Sequence, residues 1–544
     1  MPNRRTVLGA SLGLVAGVAA IGAKADTAPE VTTAYGKIRG VTTNGVHAFK
    51  GIPYGASTAG ANRFMPPKPP EPWTGVRETV AYAGRSPQAP GSPQRPELAH
   101  VWGPVDTLPV GEDCLTLHVW TPALDDAKRP VMVWLHGGAF SYGSANSPRY
   151  DSTRLAGRNG VVVVAVNHRL NIFGHLDLSA VEKSGGGGER FAQSGNVGVL
   201  DLVAALQWVR DHATRFGGDP GNVMIFGQSG GGGKVSALLA MPSAKGLFHK
   251  AVIESGASVR FAERERTAQL ADAVLKHLGL GPDKLDALQA LPLAKLQEAV
   301  VPAQKTLAKP RYPLLDRYNF GPVVDGHVMP THPYDPAATS LSDDIPLMIG
   351  GTRTESSIFL APDDAVWNRT VTEEDLAKRI KALAGDRADG LLAYYKQHYP
   401  QATPTDRLLY LTTGSNFEVR SMMLGERKAA QGKAPVWMYR FDWETPAYDG
   451  RLRTPHSMEV PFVFDTLEVI GAQHQKPHAQ DLADTVSKTW ATFARTGNPA
   501  NPSLPAWPAY SADRRNTMIF NDACQVAVDP DGEARQLWSK VATV

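Results

Sequence analysis

Cysteine is nearly absent. Cys114 and Cys524 are the two in 544 residues, which excludes a disulfide-stapled scaffold. A chain of this length builds a core without cross-links, and two thiols so far apart need not pair. There is no H-E-x-x-H segment, no cysteine cluster and no dinucleotide-binding fingerprint, so no metal and no cofactor is expected. No segment beyond residue 25 approaches 18 uninterrupted apolar residues, so stable membrane insertion is not expected there. An excess of charge is missing too. The formal +3 comes from 56 basic against 53 acidic residues, and Arg4, Arg5 and Lys24 fall in the first 25 residues, which hold no acid. Beyond them the balance is even, and no nucleic-acid or acidic-membrane partner is expected.

What is there begins with a leader. Arg4-Arg5 precede an apolar stretch rich in Gly and Ala, and Ala23-Lys24-Ala25 offers a small-x-small cleavage site. The order Asn3-Arg4-Arg5-Thr6-Val7-Leu8 looks like a twin-arginine signal, so residues 1–25 read as a cleaved signal peptide and the protein as periplasmic or secreted. Residues 26–544 show no internal repeat and no linker sharp enough to divide them, and read as one domain.

Residues 36–54 alternate around Asn44-Gly45, a hairpin signal. Residues 59–109 are proline-dense and read as long irregular structure. Residues 131–135 and 161–166 are apolar at every position, as in strands buried on both faces of a sheet. Residues 198–212 carry helical spacing and lead into another apolar strand at 223–226. The glycines at 185–188 read as a loop tip. Short strands are expected at 252–256, 345–350 and 436–441, and amphipathic helices at 262–278, 283–300, 373–384 and 478–495, with Pro-Asn-rich loops after the last. This rhythm is that of a mainly parallel α/β sheet with helices on both faces and helical insertions over one end.

The strand at 223–226 runs into Gly227-Gln228-Ser229-Gly230-Gly231, the G-x-S-x-G form of a nucleophile elbow. Such a turn lifts the serine hydroxyl clear of its backbone. Gly9-Ala10-Ser11-Leu12-Gly13 fits the same pattern but sits in the leader; only Ser229 has a strand before it and helical sequence after it.

A serine hydroxyl needs a base, usually a histidine oriented by a carboxylate. In a sheet of this kind the order is serine, acid, histidine, each at a strand's carboxyl end. Glu355 follows the strand at 345–350, and His456 follows the strand at 436–441 by a loop; His474 and His478 compete for that role from a polar stretch. Backbone N–H groups for an oxyanion come from Gly230 and from the glycine-rich turn His136-Gly137-Gly138-Ala139-Phe140 after the earlier strand.

With Glu112-Asp113-Cys114-Leu115, Asn167-His168-Arg169-Leu170, Phe216-Gly217-Gly218-Asp219-Pro220, Thr354-Glu355-Ser356 and the segments 456–464 and 490–497, the chain resembles the type-B carboxylesterases. These are the α/β-hydrolases that also include the cholinesterases. The resemblance implies Ser229 as nucleophile, Glu355 as triad acid, His456 as base, and Gly138, Ala139 and Gly230 as oxyanion donors. It implies a small-molecule ester as substrate, and Ser255 as support for the triad carboxylate. Amides or carbamates are the alternative substrates, and a non-catalytic adhesion-type protein is an alternative of another class. The departures are Gln228 where relatives carry glutamate, Gly230 where they carry alanine, Lys234 where they carry a small residue, and no cysteine near 86–88 to pair with Cys114.

Overall fold

The computed structural model describes residues 28–88, 95–98, 101, 103–104, 106–185, 188–307, 320–471 and 475–541. The leader, the centre of the glycine run at 185–188 and His474 lie outside the described residues.

The main sheet has eleven strands. In chain order they are β1 (Val41–Thr43), β2 (Val46–Pro53), β3 (Thr116–Thr121), β4 (Arg129–Leu135), β5 (Val162–Val166), β6 (Gly218–Gln228), β7 (Lys250–Glu254), β8 (Leu347–Thr352), β9 (Val436–Phe441), β10 (Asn516–Phe520) and β11 (Gln525–Val528). Side by side they run β11-β10-β9-β8-β7-β6-β4-β5-β3-β2-β1. Every pair from β5 across to β10 is parallel, and the pairs at both edges are antiparallel. The helices used below are α1 (Val197–His212), α2 (Gly230–Leu239), α3 (Arg264–His277), α4 (Leu285–Ala290), α5 (Leu293–Leu307), α6 (Glu373–Ala384) and α7 (Ala479–Thr496).

The continuous apolar runs have their reason in the two faces. Val131, Val133 and Leu135 share a core with Leu202, Leu206 and Val209 of α1 and with Val235 and Leu238 of α2. Met132 and Trp134, one residue out of phase, join Leu482, Val486, Trp490 and Phe493 of α7 on the opposite face. Each fully buried side chain of this size contributes roughly 1.5–3 kcal/mol of transfer free energy. Strands with no face left for water have no use for polar positions. The chain is an α/β-hydrolase by this architecture. Among the described residues no helix is long and apolar enough to cross a membrane.

Four expectations shift. The hairpin is shorter than residues 36–54: β1 and β2 pair around Asn44 and Gly45, both at positive φ, while Lys37–Arg39 joins a separate small sheet with Glu30–Thr32 and Val76–Glu78. The helix at 283–300 is two, α4 and α5, because Leu291 is extended (ψ 148°) before Pro292, as the proline ring requires. The strand at 345–350 begins only after Pro346, at Leu347. The loops after α7 contain the β10–β11 hairpin and the helix Gly532–Ser539. Insertions leave the sheet after β7 and β8, and α3, α4 and α5 form their own core through Leu270, Val274, Leu288 and Leu296.

Candidate active site

Because β4, β6, β7, β8 and β9 are parallel and in register, their carboxyl ends share one edge. Leu135 lies beside Gly227, Gln228 beside Glu254, and Glu254 beside Gly350. The segments leaving that edge carry the chemistry.

At the elbow Ser229 sits at φ 58°, ψ −123°, a conformation that a non-glycine residue adopts only under constraint. Its N–H donates to Glu254 O at 2.8 Å, and its C=O accepts from Gly233 at 3.1 Å, starting α2. The turn is tight enough that a Cβ on Gly231 would stand 2.0 Å from Leu135 O. Ser229 remains partly exposed.

The carboxylate and the imidazole expected as acid and base meet. Glu355 is fully buried, and its Oε2 lies 2.5 Å from His456 Nδ1. Its Oε1 accepts from the Thr352 N–H at 2.7 Å, which fixes the carboxylate's second oxygen. The two loops are joined directly: Thr354 N–H donates to Thr454 O at 3.2 Å, and Thr454 N–H donates to Thr354 Oγ1 at 2.9 Å. The imidazole is flanked by Phe359 and Phe417, with centroids 5.1 and 5.2 Å away. Phe417 comes from a single π-helical turn, Gly414–Glu418, the sort of irregularity that helices keep at functional sites. His478 points to solvent and pairs with Asp481, away from Glu355.

The serine and the base are not hydrogen-bonded. Nε2 of His456 instead faces the side-chain amide nitrogen of Gln228 at 3.2 Å. With Nδ1–H turned to Glu355, Nε2 carries the lone pair, and the Gln228 amide donates to it. Gln228 thus occupies the position on the base that a serine proton would need. Position 228 stood out in the sequence as a departure, but nothing in it showed that the side chain reaches the histidine.

Three backbone N–H groups, those of Gly138, Ala139 and Gly230, have no acceptor among the described residues. Their peptides are polarised from behind. Gly137 O accepts from His136 Nδ1 at 2.8 Å. Gly138 O accepts from Ser141 and Tyr142 at 3.1 Å, and Ser229 O accepts from Gly233. Chained hydrogen bonds of this kind strengthen the free donors at the far ends. Burial holds His136 well below its ordinary range, so the ring is neutral and Nδ1–H is its donor. The elbow and the turn touch: a Cβ on Gly230 would lie 2.0 Å from Ala139 O and 2.3 Å from its Cα.

Ser255 departs from its expected role. Its hydroxyl donates to Glu459 Oε1 at 3.0 Å, not to Glu355. Burial, with Glu355 and Glu254 nearby, pushes the Glu459 carboxyl well above its usual range, so the acid near the Glu355 carboxylate is neutral. Other motif residues are structural. Glu112 holds Arg63 through two hydrogen bonds of 2.5 and 2.6 Å, and Arg169 is paired with Asp201 in full burial. Cys114 is a free, buried thiol. The loop at 85–113 is tied down without a disulfide: Gln88 and Gly143 exchange two amide hydrogen bonds, Ser144 donates to Asp106 at 2.5 Å, and Arg95 binds Asp364 and Ala361 O. Among the described residues no group of three or more His, Cys, Asp or Glu is placed to hold a metal ion.

The model of the carboxylesterase family matches residues 27–538. The chain belongs to the carboxylesterase family. Within that family it is 38% identical over 520 residues to the para-nitrobenzyl esterase of Bacillus subtilis, covering 93% of this chain and 97% of that one. It is 32% identical to the phenmedipham hydrolase of Pseudarthrobacter oxydans over 92% of this chain and 97% of that one. The crystal structure of a Geobacillus stearothermophilus carboxylesterase at pH 6.2 superposes with a TM-score of 0.79 at 37% identity, covering 94% of this chain and 99% of the other. The chain is, with these relatives, a hydrolase of the carboxylesterase family.

Proposed function

We propose that the protein cleaves carboxylic esters through an acyl-enzyme on Ser229, with His456 as general base and acid and Glu355 orienting it. The observation that carries this is the buried Glu355–His456 bond of 2.5 Å, set at the sheet edge that also presents the strained serine and three unsatisfied N–H groups. Ser229 Oγ attacks the carbonyl as its proton passes to Nε2, and Glu355 stabilises the imidazolium. The carbonyl oxygen, now negative, is received by Gly138, Ala139 and Gly230. His456 then protonates the leaving alcohol, and water repeats the sequence on the acyl-enzyme. For the first proton transfer the Gln228 amide must leave Nε2. The aromatic flank of Phe359 and Phe417 keeps water from the imidazole and favours an apolar substrate group beside it.

The test is hydrolysis of short chromogenic esters by the wild type and by Ser229→Ala. The variant is expected to lose at least about 10³-fold in kcat while folding normally. A wild type inert across acyl lengths, or a variant at full rate, refutes the proposal. A second reading, amides or carbamates cleaved by the same groups, is favoured by the phenmedipham hydrolase among the relatives; matched ester and anilide substrates compared by kcat/KM separate the two. Export belongs to the same proposal. The family match begins at residue 27, leaving the arginine-bearing leader outside it, in keeping with a periplasmic or secreted enzyme.

A further inference from the structure

Lys234 has no part in the mechanism above, yet it is fully buried in the second turn of α2. Its Nζ donates to His136 O at 2.8 Å and lies 5.7 Å from the centre of the Phe140 ring. The titratable groups that face it are histidines. His136 comes from the end of β4 and stacks at 5.1 Å on His168, which follows β5; His175 comes from the short helix Asn171–His175. Burial, reinforced by Lys234 itself, holds His136 and His168 well below their ordinary range and His175 at about 3, so all three are neutral. Carboxylates on the elements packed against α2 are engaged elsewhere. Asp201 of α1 is held by Arg169 at 2.6 Å, and Glu254 of β7 accepts from Trp490 at 2.7 Å. Among the described residues no carboxylate pairs with Lys234.

A buried ammonium without a counter-ion is costly. What becomes negative in this neighbourhood is the substrate's carbonyl oxygen, on the far side of the same turn. His136 links the two: its ring holds Gly137 O, behind the Gly138 donor, and its own carbonyl takes Lys234. We propose that Lys234 is a positioning residue for the oxyanion hole, its ammonium fixed on the His136 carbonyl behind the 137–139 turn and left without a counter-ion until the tetrahedral intermediate forms. This rests on the ester-hydrolase reading of Ser229. The charge favours the tetrahedral anion over the neutral ester, so it acts on kcat and not on KM. It also makes the hole pH-dependent, because burial brings Lys234 down to about 7, and the support is lost as the ammonium gives up its proton.

Lys234→Met and Lys234→Gln in the full chain test this. Three quantities are measured: kcat and KM for a short p-nitrophenyl ester, the inhibition constant of a trifluoromethyl ketone, and thermal stability at pH 6. The ketone adds to Ser229 Oγ as the serine proton passes to His456, leaving a tetrahedral alkoxide in the hole. Expected are a fall in kcat of about tenfold or more with KM within about twofold, and a matching weakening of the ketone. Stability at pH 6 is expected to hold or rise. The sign follows from linkage: below pH 7 the folded wild type bears the full cost of the buried charge. Above it the folded state sheds a proton that the unfolded chain keeps to about 10.5, so the variant's advantage narrows. Unchanged kcat, equal losses in kcat and KM, or activity and stability falling together would overturn the proposal. Should neither variant fold, the wild type decides, since its ketone affinity must weaken as pH rises from 6 to 9, and a constant affinity refutes the role of the charge. An inert wild type overturns this proposal and the ester reading together; an active one with unimpaired variants overturns this one alone.

Discussion

At the scale of single residues the base is the least conventional part. His456 is held on one side by Glu355 and on the other by the neutral amide of Gln228. The amide donates to the Nε2 lone pair; a carboxylate in its place would favour the imidazolium. Gln228→Glu is therefore expected to move the acid limb of kcat/KM upward by roughly one pH unit, because a higher pH is needed to free the base. The pH–rate profile measures it, and a limb that stays in place or moves down rejects the Gln228–His456 contact as functional. The sequence pointed to Ser229, Glu355 and His456: the order of elbow, strand-end acid and later histidine left His474 and His478 beside His456, and the resemblance chose among them, while the structure brings Glu355 against His456. Gln228 was legible only as an oddity. A one-letter difference says that a charge is gone but not which atom the replacement faces.

At the scale of elements the site depends on two loops being held together. Thr354 and Thr454 join the segment after β8 to that after β9 by one side-chain and one backbone hydrogen bond. Thr354→Val keeps the shape and removes the hydroxyl, stranding the buried Thr454 N–H at a cost of about 1–3 kcal/mol. The expected result is a kcat lower by roughly tenfold with KM little changed, alongside a lower melting temperature; an unaltered kcat would mean that the carboxylate–imidazole pair needs no such tie. The elements that the sequence displayed were those with one reason to exist. β4 from Val131 onward and β5 are buried on both faces and apolar at every position. β3, Thr-Leu-His-Val-Trp-Thr, is just as buried but was not legible, since its polar residues are satisfied by distant partners. His118 meets Asn146 and the Gly51 N–H at 2.9 Å, and Thr121 donates to Phe216 O at 2.8 Å. Hydropathy cannot see a partner that lies far along the chain. The break between α4 and α5 is the opposite case: Pro292 announced it, and helical periodicity on both sides masked it.

At the scale of the whole molecule the 85–113 loop is anchored by hydrogen bonds and ion pairs, and neither cysteine is in a disulfide. Cys114 is buried, and its thiol is pushed up to about 12 by the surrounding core; Cys524 is half-buried and also raised. Neither thiolate is available near neutral pH. Titration with a thiol reagent is expected to count fewer than one fast-reacting group in the native protein and two after denaturation, and reducing agent should leave activity unchanged. Two fast native thiols, or activity lost on reduction, would contradict this arrangement. The anchoring of the 85–113 loop by Gln88, Arg95 and Asp106 could not be read beforehand, because the partners lie far along the chain, Gly143 and Ser144 after β4 and Ala361 and Asp364 after β8.

The contact between Gly230 and the Ala139 backbone also decides which substitutions the elbow admits. A methyl group at 230 would collide with main chain, which cannot swing aside as a side chain would, so alanine is barred here while the 137–139 turn keeps its course. The two positions are epistatically locked. A library varied at 230 alone would therefore return glycine until the turn is varied with it.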